Sequence, residues 1–379
     1  MAVRFGFIST YPPTQCGLAT FTSALAQALV SSGVDDIRVA RLLDAPQRPA
    51  GAEVVADVFS TGHARSASSV EQLNSCDVVI VQHEFGVYGG PDGEDVLRLL
   101  AELRVPTIVV LHTVLSRPTP HQRSVLESVI AAASAVVTMT GTARERLAAS
   151  YQVDLSRVSI IAHGAFEPPN LSANLSPVFR NSQPTVLTWG LLGPGKGLEW
   201  GIEAFALLSD LRPTPRYLVA GQTHPKVLEH QGESYRDGLG RLIQRRGLSA
   251  SVSLDGRYRD TRSLSQLVAS ADLVLLPYDS TDQVTSGVLI EAVAAGRPVV
   301  ATRFPHAVEL LSGGAGLLVP HRDPVAIAAA VRTVLTRPEI ASAMSSAAAA
   351  AAPSLRWSTV ADQYRQLAAR LISATVTAA

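Results

Sequence analysis

Short runs rich in valine, isoleucine and leucine alternate with helical stretches along this chain, and that alternation admits few folds. Strand-like runs lie at Val3–Ser9, Ile37–Leu43, Asp77–Gln82, Thr107–His112, Ala135–Thr138 and Val158–Ala162. Helical stretches fall between them at Leu18–Ser32, Glu94–Leu103, Gln122–Ala133 and Ala143–Ala149. Several strands are apolar almost throughout, as parallel strands covered on both faces must be. Proline, serine and asparagine interrupt the pattern over Phe166–Pro184, the best candidate for a linker. It resumes with strands at Thr185–Trp189, Arg216–Ala220, Ser251–Leu254, Leu273–Pro277, Pro298–Thr302 and Gly316–Val319, and helices at Leu198–Ser209, Tyr235–Arg246 and Gly287–Ala295. Two such halves predict an α/β chain of two doubly wound domains facing across a cleft, with ligands beyond the carboxyl ends of the strands. The expected bounds are 1–170, 171–355 and a C-terminal helix and tail at 356–379. That helix, around Trp357–Leu371, is free to pack on either domain, including a return to the first.

The 379 residues suffice for two such domains. Hydrophobic residues make up 47% and charged residues 17%, the balance of a packed globular chain. Basic and acidic residues number 32 each, which argues against nucleic acid as the main partner. Residues 1–175 are net −4 and the remainder net +4, so an anionic ligand suits the second half. Cys16 and Cys76 form neither a C-x-x-C pair nor a zinc spacing, and a reducing, cytoplasmic setting is expected. The chain runs straight into Val3–Ile8 without a charged leader, and no apolar run approaches the ~20 residues of a membrane span.

Only two lysines occur, Lys196 and Lys226, and the first lies in the loop Gly190-x-x-x-x-Gly195-Lys196-Gly197 between a strand and a helix. Glycines allow close backbone approach to an anion, and a helix start offers free N–H groups and a positive dipole end. The same loop also reads as a tight turn carrying an exposed lysine. A P-loop NTPase needs Ser or Thr after the lysine to hold magnesium; Gly197 stands there, which makes that class unlikely. The sequence holds no Asp-x-Asp pair to chelate a metal onto a diphosphate, so no metal is expected and protein groups must neutralise the anion. Downstream, Thr285-Ser286-Gly287 leads into a helix, a second anion-binding start. Glu291 follows one turn later, either an ordinary helix carboxylate or an acceptor for two vicinal hydroxyls, as on a ribose.

These loops, with Tyr11–Thr20, the Gln82–Gly90 segment and Leu111-His112, make the chain resemble the retaining glycosyltransferases of family 4, glycosyl transferase group 1. The resemblance implies the GT-B fold of two Rossmann-like domains, with the acceptor bound by the first and a nucleotide sugar by the second. It implies that Lys196 contacts the donor diphosphate, with Gly195 in its loop and His224 within reach. The amides of Gly17 and of Ser286, Gly287 and Val288, after Thr285, would help hold phosphates and sugar. Glu291 would bind the ribose, Tyr258 would lie beside the base, and His112 beside the transferred sugar. Tyr11, Gln15, His83 and Glu84 fall to the acceptor side.

Two departures bear on chemistry. Leu191 stands where many relatives have arginine, leaving Arg257 or Arg303 to compensate. Gln283 stands eight residues before Glu291, where the family has a paired glutamate; an amide binds hydroxyls but is no carboxylate nucleophile. A front-face substitution without metal or other cofactor follows, moving a hexose from GDP-mannose, slightly favoured on family habit, or a UDP-hexose. The acceptor would be a small molecule, a glycan or a lipid-linked hydroxyl. Arg117, His121 and Arg123 beside apolar positions allow weak peripheral membrane contact. Gln283 and Leu191 also keep open a non-catalytic sugar-nucleotide sensor or partner subunit. His163 reads as a packing residue, and Cys16 lacks the acid–base neighbours of a nucleophile.

Overall fold

The computed structural model describes residues 2–31, 33–44, 51–59, 67–167 and 183–378. The chain forms two compact units, Met1–Gly164 with Trp357–Ala379, and Ala165–Arg356. Most of the expected linker lies outside the described residues.

In the first unit seven parallel strands are ordered β3-β2-β1-β4-β5-β6-β7. They are β1 (Arg4–Ser9), β2 (Asp36–Leu43), β3 (Val54–Phe59), β4 (Val78–His83), β5 (Thr107–Leu111), β6 (Ala135–Thr138) and β7 (Val158–Ile160). Every residue of β4, β5 and β6 is buried, which is why their sequences run apolar without alternating. The sequence reading missed β3 and the following Ala67–Asn74 helix. Asp57 interrupts the β3 apolar run because it pairs with the wholly buried Arg41 of β2, at 2.8 Å.

The second unit holds six parallel strands in the order β10-β9-β8-β11-β12-β13. These are β8 (Thr185–Trp189), β9 (Arg216–Ala220), β10 (Val252–Asp255), β11 (Leu273–Leu276), β12 (Val299–Thr302) and β13 (Gly316–Val319). The Leu198–Ala206 and Pro324–Thr336 helices cover one core, burying Ile202, Phe205, Ile327 and Val331 against Val186, Leu273 and Leu275. Each unit is thus a Rossmann-like doubly wound sheet.

The Trp357–Ala378 helix completes the first unit by packing along the Gly17–Val30 helix. Val360, Ala361, Tyr364 and Ala368 are wholly buried there. Trp357 lies so close to Gly164 that a Cβ at that glycine would collide with the indole ring. Arg365 donates to Asp35 at 2.7 Å and to the carbonyls of Ala28 and Leu29 at 3.1 and 2.6 Å. Its charge therefore meets both a carboxylate that is 4% exposed and the negative end of a helix. Arg365→Ala strands that carboxylate, and partial exposure of the arginine moderates the loss to about 2–3 kcal/mol. Urea unfolding followed by fluorescence measures it, and a loss near zero would show the pair to be ornamental.

Candidate functional site

The chain leaves β8 outward to β9 and β10, then returns to the other side of β8 as β11. The loops after β8 and β11 therefore diverge, opening a crevice at the carboxyl edge of the sheet. The first loop carries the lysine. Gly197 has φ +60°, and a Cβ there would collide with the Pro277 carbonyl, so only glycine lets the two loops pass. The Asp279 N–H donates to the Gly195 carbonyl at 2.9 Å, tying them together. The Asp279 carboxylate accepts the Trp200 indole N–H at 3.0 Å and lies 3.3 Å from Arg322 Nε.

Lys196 Nζ sits 4.4 Å from the centre of the Tyr278 ring. That ring stacks on Phe304, and the Tyr278 carbonyl accepts the Thr302 hydroxyl at 2.6 Å and His321 Nδ1 at 2.8 Å. The aromatic face orients the ammonium for about 0.5–2 kcal/mol without neutralising it. Beside this loop, the His224 N–H donates to the Leu192 carbonyl at 2.8 Å, and its Nδ1 accepts the Lys226 N–H at 3.2 Å. Burial, then the charges of Lys226 and Lys196, lowers the His224 pKa, so a neutral ring faces the lysine loop.

The helix after β11, Gly287–Ala294, brings Glu291 to the end of β8, where Trp189 Nε1 donates to its carboxylate at 3.3 Å. Burial pushes the Glu291 pKa up to about 7, and the indole N–H offsets this only in part. The turn before that helix is pinned internally. The Gln283 side-chain amide donates to the Thr285 carbonyl at 3.1 Å, and the Ser286 hydroxyl caps Leu289 N–H at 3.3 Å. The Ser286 N–H donates to His306 Nδ1 at 2.8 Å, which takes it out of the three amides assigned to phosphate and sugar. As the first two helical residues, Gly287 and Val288 have no N–H partner within their own helix.

Lys196, His224, Thr285–Val288 and Glu291 thus all follow the carboxyl ends of the neighbouring strands β8, β9 and β11. Tyr258 stands 61% exposed on the loop after β10. Of the two arginines considered for the Leu191 gap, Arg257 is engaged with Asp255 at 2.7 Å. That hydrogen bond leads the causes that hold the Asp255 carboxyl well below its usual range. Arg303 is exposed just beyond β12.

The first unit has its own reversal between β1 and β4. Gln15 and Gly17 are exposed at the start of the Gly17–Val30 helix, whose N–H of Ala19 is capped by Cys16 Sγ at 3.4 Å. Tyr11 is buried, its hydroxyl donating to Glu53 at 3.1 Å, and burial pushes its pKa up to about 12. The Glu84 carboxylate accepts from the Thr113 hydroxyl at 2.5 Å and from Phe85 N–H at 3.2 Å. His83 is wholly buried, and neither ring nitrogen has a partner among the described residues. Burial lowers its pKa to about 4.

His112 Nε2 lies 2.6 Å from Gln82 Oε1, an acceptor, so Nε2 carries the proton and Nδ1 the lone pair. Burial, then the neighbouring His163 and His83, drives His112 down to about 3, so this is a neutral ring at any physiological pH. His163, Trp357 and His112 each meet the edge or face of Phe21 at about 5 Å. The sequence reading passed over Gln82, Trp189, Tyr278 and His306. Their one shared signal is position, at or just after the carboxyl end of a parallel strand.

The family model Glycosyl transferases group 1 matches residues 183–337. A GDP-mannose-dependent alpha-(1-6)-phosphatidylinositol dimannoside mannosyltransferase of Mycobacterium tuberculosis is 28% identical over 150 residues, 40% of this chain and 35% of that one. A D-inositol 3-phosphate glycosyltransferase of Corynebacterium glutamicum is 30% identical over 231 residues, 57% of this chain and 52% of that one. The chain thus spans about a third to a half of these curated relatives' lengths. The solved structure of Anabaena Alr3699/HepE in complex with UDP and glucose superposes with TM-score 0.73 at 18% identity, covering 97% of this chain and 100% of that one, a likeness of fold.

The raised pKa of Glu291 has a measurable consequence. A Glu291 pKa near 7 when folded, against an ordinary 4.5, means that folding takes up a proton between those values. Its contribution to stability therefore falls as pH rises from 4.5 to 7 and stays unfavourable above. Glu291→Gln keeps an acceptor for Trp189 and should raise stability at pH 8 by about 2–3 kcal/mol, a gain fading as pH falls through that window. Equal stability of the two proteins at pH 8 in urea titrations would overturn this.

Proposed function

We propose that this chain, whose residues 183–337 match the group 1 glycosyl transferase model, is a retaining family 4 hexosyltransferase using a nucleoside diphosphate sugar. One observation carries the reading: the segments that follow β8 and β11 hold a cation with no ion-pair partner among the described residues, two helix-start amides and a carboxylate whose pKa is pushed up to about 7. Lys196 and the amides of Gly287 and Val288 suit a diphosphate, and Glu291 suits the vicinal hydroxyls of its ribose. His224, neutral beside the lysine loop, is a further donor-side contact, and Tyr258 borders the base.

Gln283 excludes a covalent intermediate on that side chain, since an amide is a poor nucleophile. In the front-face course, the bond from anomeric carbon to phosphate oxygen breaks, and the leaving oxygen takes the acceptor hydroxyl's proton as the new bond forms on the same face. Charge accumulates on the departing phosphate, where Lys196 and the oriented amides favour the transition state over the ground state. His112 in the first unit, neutral with Nδ1 as acceptor, is suited to a hydroxyl of the transferred sugar. It is not suited to donate a proton as imidazolium.

Mannose from GDP-mannose is the favoured donor, supported by the GDP-mannose dependence of the Mycobacterium tuberculosis relative, with UDP-hexoses next. Tyr11, Gln15, His83 and Glu84 lie on the acceptor side, His83 through its shape because its ring is buried. The chain is proposed to act in the cytoplasm, in weak contact with a membrane when the acceptor is lipid-linked. No described helix is long and apolar enough to cross a membrane.

The test is nucleotide release from a panel of GDP- and UDP-sugars with EDTA present. Turnover should survive the chelator, and Lys196→Ala should lower kcat by roughly 100-fold or more. Tight donor binding with neither transfer nor hydrolysis would instead establish the sensor reading that Gln283 and Leu191 permit. Abolition of turnover by EDTA would refute metal independence.

A further inference from the structure

We infer that His306 is the positioning residue of the anion-binding turn, and that the amides it leaves open, those of Gly287 and Val288, are the ones that hold the donor's phosphates. The inference rests on the donor reading above. It concerns a residue one strand away from the turn it controls.

His306 lies early in the Pro305–Leu310 helix that follows β12, and is 3% exposed. It grips the turn after β11 at two points. Its Nδ1 accepts the Ser286 N–H at 2.8 Å, and its own N–H donates to the Gln283 carbonyl at 3.3 Å. An accepting Nδ1 places the ring proton on Nε2. Ser286 is itself 3% exposed, so in the folded protein its N–H depends on this acceptor. An orphaned buried donor is costly, and without the acceptor the turn is free to rotate that peptide. The same residue caps Leu289 through its hydroxyl, so that rotation also disturbs the first helical turn. His306 therefore fixes which amides face the ligand, without touching the ligand.

Asparagine carries its Oδ1 close to the position of a histidine Nδ1, whereas glutamine carries its amide one bond too far. His306→Asn should thus retain the clamp, and His306→Ala and His306→Gln should lose it. Two readouts separate positioning from general damage. Amide hydrogen exchange at Ser286, in the full chain without ligand, should be slow in wild type and His306→Asn and fast in the other two. Titrations with GDP, UDP and their nucleosides should show diphosphate affinity reduced about 10-fold in His306→Ala and His306→Gln, with nucleoside affinity within about 2-fold. The donor KM should rise with it, and His306→Asn should recover to within about 3-fold.

Equal losses for nucleoside and diphosphate, or no advantage of asparagine over alanine and glutamine, overturn the assignment. So does Ser286 exchange that ignores the substitutions. A wild-type protein that binds neither diphosphate, while His306 still governs Ser286 exchange, refutes the donor reading and the phosphate role together. That pattern is distinct from a failure of the clamp alone.

Discussion

The second unit depends on one topological constraint, that β8 has a neighbour on each side reached by the chain at different times. Loops leaving adjacent strands toward opposite faces of the sheet come side by side at its carboxyl edge, where groups from both can meet. The constraint dictates the ties that follow. The Asp279 N–H holds the Gly195 carbonyl, Trp189 reaches Glu291, and Gly197 surrenders its side chain so that Pro277 can pass. None of these pairs is close in sequence, yet all span the same gap.

The charges around that gap are arranged so that one stays unspent. Among the described residues, Lys196 meets a tyrosine ring and no carboxylate, so its field remains available to an anion. Nearby Asp279 would oppose that field, but its charge is shared by the Trp200 indole and approached by Arg322. Arg257, by contrast, is spent on Asp255 and offers little to a ligand. A cation held by an aromatic face differs from one held by a salt bridge in this respect. The first is oriented without being neutralised, whereas the second must break a bond before it can bind.

The strands were legible because parallel strands buried on both faces leave a continuous apolar trace, as in Val78–Val81 and Leu273–Leu276. β3 was not, because Asp57 serves the buried Arg41 of its neighbour, and a pair formed across strands leaves no local signature. The site divides in the same way. Lys196 sits in a glycine-rich loop and Glu291 one turn into a helix, so residue type and spacing single both out as candidates. Ser286 was read correctly as a helix start but wrongly as a free amide. Its N–H is decided by His306, twenty residues later, through the adjacency of β11 and β12. Single-sequence reasoning sees which groups exist; it does not see which have already been used.

Glu291 shows what such a site costs. Burial disfavours its anion, and the single indole N–H of Trp189 does not restore the ordinary acidity. A carboxylate kept in that state is stabilised by any ligand that adds donors to it, and two vicinal hydroxyls would add two. Binding of such a ligand would therefore lower the Glu291 pKa and release the proton that the carboxyl holds in only part of the population near pH 7. The destabilisation of the free protein and the affinity for a hydroxyl-bearing ligand then have one origin. A fully satisfied residue at this position would remove both.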